Sequence, residues 1–329
     1  MVLSLKKVAV TATVLVLALA FALVILILLM PIYGKPADSM QQWRQMPKYV
    51  LQRRPQQVPA SEPYVIPKIV WSYWNDENIP ATIKKIMDQR AATLTDWKFN
   101  VLTDATIPDY LPNYPNNYHT LRQSHKSDWL RLALLEKYGG CWLDATIIVN
   151  SETAFEQIYN ESVAANSEFT GFFTGMGLKD QDPTTFIESW FIMAPQGSRV
   201  IAAAAKEFTT ACDIGFQEYR VKALSEHNFS QHVYNEDPSN VYLTVYAAIQ
   251  MSIQKRLDKK VNIILYNSYD AMYKLHADCW QPEKKDYDSV CIVKLMRDEP
   301  EYVKRIPFLK FTNAQHALFN KIDVSAYFI

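Results

Sequence analysis

The segment Cys141-Trp142-Leu143-Asp144-Ala145-Thr146-Ile147-Ile148-Val149 constrains the fold more than any other stretch of the chain. Apart from Asp144 and Thr146 it is apolar and rich in branched side chains, which predicts a central strand buried on both faces. It follows directly on a helical stretch, Tyr118 to Tyr138, that Gly139-Gly140 terminates. Upstream, Lys68 to Trp74 reads as a first strand, Ile83, Ile86 and Met87 after Pro80 as a helix, and Trp97 to Thr103 as a second strand. Strands alternating with helices imply an α/β sheet with right-handed crossovers. Further strands are predicted at Phe169 to Thr174 and Ser189 to Ala194, and helices at Ser198 to Leu224 and Val241 to Leu257. Such a sheet binds ligands beyond the carboxyl ends of its strands, which directs attention to Trp74 and Asp144.

The chain is organised around this domain. Residues 8–30 carry no charged side chain. As a helix they would reach roughly 34 Å, enough for a hydrocarbon core of about 30 Å, so a transmembrane signal anchor is expected. Residues 1–7 then form a short cytosolic tail. Lysines and arginines on the two sides of the span are nearly balanced, so orientation rests on that tail and on the sequons at Asn160 and Asn228, which point to a type II protein with its large part in a secretory lumen such as the Golgi. Residues 31–65, with Pro31, Pro36, Pro47, Pro55, Pro59 and Pro63 among Gln and Arg, read as an extended stem, and residues 66–329 as one domain. Lys plus Arg and Asp plus Glu number 34 each, which argues against nucleic acid as a partner. Cys141, Cys212, Cys279 and Cys291 contain no CxxC pair, so a zinc ribbon is excluded, while Cys279 and Cys291 are close enough in sequence to bridge in an oxidising lumen. None of the six histidines forms an HExxH-type ligand pair.

The chemistry concentrates between Ser127 and Thr146. Asp128 and Arg131, three apart in a largely apolar helix, are either a plain ion pair or a carboxylate and guanidinium kept for a sugar and a phosphate. Asp144 either caps a turn at the strand end or orients a ribose hydroxyl and a hard cation on a diphosphate. Taken in order, Ile66 to Trp74, then Ser127-Asp128-Trp129-Leu130-Arg131, then Tyr138-Gly139-Gly140-Cys141-Trp142-Leu143-Asp144-Ala145-Thr146 resemble the capsular polysaccharide synthesis proteins, relatives of the DXD-motif glycosyltransferases. Glu188 to Ala194 resembles a later strand of that family.

The resemblance implies a GT-A-type, Rossmann-like mixed sheet flanked by helices, here expected behind one N-terminal transmembrane helix. It also implies sugar transfer from a nucleotide-sugar donor to a glycan or glycolipid acceptor with retention of configuration. Carried over, Trp74 would stack on the donor base, Asp128 and Arg131 would grip the donor sugar and phosphate, and Asp144 would be the first acid of DXD. Thr146 stands where the second acid belongs, so Mn²⁺ or Mg²⁺ would be held mainly by Asp144 together with the nucleotide. The competing readings are a non-catalytic carbohydrate-binding or scaffold protein that kept the fold, and a hydrolase in which Asp128 and Asp144 flank a sugar ring.

Overall fold

The computed structural model describes residues 48–52, 65–174, 182–229, 233–234, 237–284, 286–311 and 327. All of them fall in one compact unit, residues 43–329. A seven-stranded mixed sheet organises it, built from β1 (Lys48–Leu51), β2 (Ile69–Tyr73), β3 (Lys98–Leu102), β4 (Gly140–Leu143), β6 (Phe169–Phe173), β7 (Ile187–Ala194) and β8 (Ile263–Asn267). Its spatial order is β1-β8-β6-β7-β4-β2-β3. β2 pairs in parallel with β3 and β4, β7 runs antiparallel between β4 and β6, and β8 is parallel to β6. Every residue of β7 is buried, as a strand covered on both faces requires.

Helices cover both faces. α1 (Ala81–Thr93) joins β2 to β3, and α2 (Gln123–Tyr138) joins β3 to β4. α2, α4 (Arg199–Ile214) and α6 (Thr244–Met251) bury Leu130, Leu134, Phe208 and Ile249 on the side of Trp71 and Trp142. α3 (Glu152–Ala164) packs Phe155 and Ile158 against Val70, Cys141 and Leu143 on the opposite face. Gly139 and Gly140, with φ of +66° and +102°, make the turn from α2 into β4. A Cβ would lie 2.4 Å from the Gln196 nitrogen at the first and 2.5 Å from the Ile69 carbonyl at the second, so this entry needs both glycines.

Several expectations are corrected. The transmembrane helix expected ahead of the sheet is not carried further: no helix among the described residues is long and apolar enough to cross a membrane, and residues 8–30 lie outside the described residues. The predicted stem is also partly sheet, because β1 pairs antiparallel with β8, Lys48 opposite Tyr266. The single strand expected over Cys141 to Val149 breaks at Asp144. There the Ile147 amide bonds the Asp144 carbonyl, and β5 (Ile148–Val149) leaves the main sheet to pair with a short strand at Phe308–Leu309. The apolar pattern hid the break because Ala145, Thr146 and Ile147 are buried in the turn as well. Gly215, with φ +97°, divides the helix expected over Ser198 to Leu224 into α4 and α5 (Phe216–Glu226). The chain at Leu121 is extended, so α2 starts later than the periodicity suggested. The cysteines need no correction: Cys279 and Cys291 are bonded, as their spacing allows, whereas Cys141 and Cys212 are buried free thiols.

Candidate active site

The carboxyl ends of β2 and β4 and the first half of α2 open on a cavity of about 680 Å³. Trp74, Asp128, Arg131, Asp144 and Thr146 all line it. Trp74 leaves β2 with its amide bonded to the Leu102 carbonyl at 2.9 Å, and its ring is half-buried against Ile83, Met87 and Ala145. Thr146, in the turn after β4, is buried.

Arg131 is the hub. Its Nη1 donates to the Ser189 carbonyl and hydroxyl, both at 2.6 Å, and its Nη2 donates to Ser127 Oγ at 3.0 Å. Nη2 also lies 3.1 Å from Asp128 Oδ1 and 3.5 Å from Asp144 Oδ1. The guanidinium stacks over the Trp142 ring at 5.1 Å. A planar fork with five donors suits this arrangement in a way a lysine would not. Because both acids lean on one guanidinium, they do not face each other across open space as a hydrolase pair would.

The two carboxyls sit in opposite electrostatic situations. Burial pushes the Asp128 carboxyl up to about 7, Arg131 pulling against it and Asp144 adding to the rise. Burial also opposes charge on Asp144, but Lys310, Arg131 and a hydrogen bond from Trp142 outweigh it and hold that carboxyl down to about 2. Lys310 Nζ donates to Asp144 Oδ2 at 2.9 Å, and Trp142 Nε1 donates to Oδ1 at 3.0 Å. Below the turn, Arg90 on α1 is fully buried and donates to the Asp144 carbonyl at 2.9 Å and to Ser72 Oγ at 3.2 Å. Desolvation pushes its guanidinium down to about 10.

A divalent cation held by protein carboxylates does not fit this donor set. Hard cations take several oxygens at about 2.0–2.6 Å, yet both Asp144 oxygens already face positive or N–H donors, and Thr146 adds only a neutral hydroxyl. Among the described residues no group of three or more His, Cys, Asp or Glu side chains converges on a metal position.

Sequence reasoning missed Lys310 and Arg90. Lys310 gave no local signal, being 166 positions from its partner in the sequence. For Arg90 the only hint was its helical spacing from Ile83, Ile86 and Met87, which puts it on the buried face of an otherwise polar helix. Tyr242, Tyr246 and Tyr273 also line the cavity. Tyr246 donates to the buried Glu188 at 2.6 Å, and burial raises the Glu188 carboxyl although hydrogen bonds from Thr174 and Tyr246 oppose the rise. His125 is structural: it stacks on Phe216 at 4.0 Å, and burial together with Arg122 pushes it down to about 4.

The family described as capsular polysaccharide synthesis protein matches residues 46–286. The O-glycosyltransferase PaGT of Phomopsis amygdali is 33% identical over 100 residues, 25% of this chain and 24% of that protein, so the chain spans about a quarter of the length of this relative. Among solved structures, the PaToxG glycosyltransferase aligns at 10% identity and a TM-score of 0.35 over 67% of this chain and 74% of that one. A glycosyltransferase involved in glycosylation of the major capsid of PBCV-1 aligns at 13% identity and a TM-score of 0.36 over 77% of this chain and 98% of that one.

Proposed function

Because the chain belongs to the capsular polysaccharide synthesis protein family, we propose that it is a glycosyltransferase moving a sugar from a nucleoside-diphosphate donor to a hydroxyl of a glycan or glycolipid acceptor, with retention of configuration. The observation that carries this reading is the convergence of Trp74, Asp128, Arg131 and Asp144 on one cavity from β2, α2 and the end of β4. An aromatic face for a base, fixed positive charge beside the phosphates and carboxylates for hydroxyls are the groups a sugar nucleotide needs. Likeness to an O-glycosyltransferase accords with an oxygen acceptor. Retention is supported by the acids of the cavity: among the described residues its lining carries only Asp128 and Asp144, both paired with Arg131, so neither is a free base for attack from the opposite face. The disulfide between Cys279 and Cys291 supports work in an oxidising secretory lumen.

The test incubates the full-length protein with a panel of nucleoside-diphosphate sugars and follows release of the nucleoside diphosphate, with NMR of the product anomer. Turnover of one donor with a retained anomer is the expected result. Binding of a sugar without any release would favour the non-catalytic carbohydrate-binding reading, and neither binding nor turnover of any donor would remove the function proposed.

A further inference from the structure

A nucleoside diphosphate leaves with extra negative charge, and something positive must already be in place to meet it. The cavity holds such a group in Lys310. Its backbone is fixed on two sides: Phe308 and Leu309 pair with Val149 and Ile148, and the Lys310 amide donates to the Met272 carbonyl at 3.1 Å. Phe308 and Leu309 are buried, so the strand end cannot drift without opening the core. From there the side chain, 13% exposed, enters the cavity and places Nζ 2.9 Å from Asp144 Oδ2. An ammonium carries three N–H donors, and Asp144 takes one of them. The remaining donors are free to turn toward phosphate oxygens.

We propose that Lys310 is a built-in cation for the diphosphate, doing what a carboxylate-held divalent metal would otherwise do, while Arg131, whose N–H groups are taken by Ser127, Ser189 and the carboxylates, contributes only its charge to the site. The inference rests on the donor reading above and deepens it. The carboxylate Asp144 then has a different task. It anchors the ammonium and guanidinium beside the leaving group and is not itself a metal ligand. A neutral Thr146 follows from this arrangement, because a second carboxylate would quench the positive charge that the diphosphate requires.

In the reaction the bond from the sugar's anomeric carbon to the phosphate oxygen breaks and its electron pair stays on that oxygen. The acceptor hydroxyl oxygen forms the new bond to the same carbon. Its proton passes to the departing diphosphate, so the products are the glycoside and a nucleoside diphosphate. Lys310 touches the leaving group throughout and exchanges no proton.

The experiment measures binding of nucleoside diphosphates and of the matching free nucleosides to the full-length protein by calorimetry, in excess EDTA and then with added Mn²⁺. The wild type is expected to bind one nucleoside diphosphate in EDTA with an affinity within about twofold of that in Mn²⁺. Lys310→Ala should weaken diphosphate binding at least about thirtyfold while changing nucleoside binding less than about threefold, and Lys310→Arg should restore most of the loss. Equal weakening of nucleoside and diphosphate by Lys310→Ala would mark a merely structural role and overturn the inference. Diphosphate binding by the wild type only with Mn²⁺ would overturn it as well, while leaving the donor reading intact. No nucleoside diphosphate bound under either condition would overturn both.

Discussion

Asp128→Asn separates a functional carboxylate from a structural one, and the structure sets how its effect depends on pH. The side chain is buried and 3.1 Å from Arg131 Nη2, and its carboxyl sits at about 7. At pH 8 about nine tenths of such a group is ionised and at pH 6 about one tenth. If the ionised form grips the donor sugar, wild-type kcat/KM, which reports the free enzyme, falls about tenfold between pH 8 and pH 6. Asparagine keeps the shape and still accepts from Arg131 but does not titrate. The variant should therefore be at least about tenfold slower than wild type at pH 8, roughly 1.4 kcal/mol of transition-state stabilisation, with the deficit nearly closing at pH 6.

Stability should move the other way. The folded carboxyl is raised above its ordinary 3.8, so its contribution is fully present below about 4 and is lost as pH rises toward 7. The asparagine variant lacks that loss, so its melting temperature relative to wild type should improve over the same interval. The assay is donor turnover across pH 6 to 8 beside thermal melts. A deficit equal at both ends of the range, or a variant that unfolds, would refute the assignment and leave Asp128 as half of a structural pair.

Three further outcomes are expected. Trp74→Ala should weaken nucleotide binding by about 1 to 3 kcal/mol, the usual worth of a stacked base, with some loss of melting temperature because the ring also packs on Ile83, Met87 and Ala145; unaltered affinity for every nucleotide tested would remove Trp74 from the site. Arg90→Met keeps the buried volume but leaves the Asp144 carbonyl without its 2.9 Å donor, so donor kcat/KM should fall at least about tenfold, and full activity would show that the turn holds its shape unaided. Reduction of the Cys279–Cys291 bond, which closes a loop of sequence separation 12, should cost about 3 kcal/mol in denaturant unfolding; an unshifted midpoint would show that the surrounding packing holds the segment without it.

The part of the fold legible in the sequence was the part where local pattern and tertiary environment agree. Ile69–Tyr73, Lys98–Leu102 and Ile187–Ala194 are strands because β-branched and aromatic residues occupy positions that the sheet buries. Where burial continued through a change of backbone direction the pattern misled. Ala145, Thr146 and Ile147 read as strand because the turn after Asp144 is enclosed by α1 and the neighbouring strands, and apolarity reports burial without reporting φ and ψ. Gly215 was the one local sign of the break between α4 and α5, and apolar residues on both sides of it masked the interruption. β1 escaped notice because it is an edge strand with alternate residues exposed, set among prolines that suggested extended chain.

The site divides along the same line. Trp74, Asp128, Arg131, Asp144 and Thr146 stand at strand ends and on one helix face, so topology alone carries them to a common cavity. Charge balance is not a local property. Asp144 looked costly because an ionised carboxylate in an apolar run has no opposite charge beside it along the chain. Its partners come from α2, from the indole two residues back and from Lys310 far downstream, and a pattern that scans neighbours finds at most two of these. Under the proposal above, the neutral Thr146 and the ammonium of Lys310 belong to one electrostatic arrangement, since a carboxylate at position 146 would raise the local negative charge and favour an added cation over a fixed one. Thr146→Asp therefore tests the coupling directly. It should create a measurable Mn²⁺ dependence of nucleoside diphosphate binding, and it should make a Lys310→Ala background more responsive to that metal than the wild-type background. Absence of any metal response in the double variant would show that position 146 and Lys310 act independently, and that the neutral threonine has no bearing on how the leaving group is held.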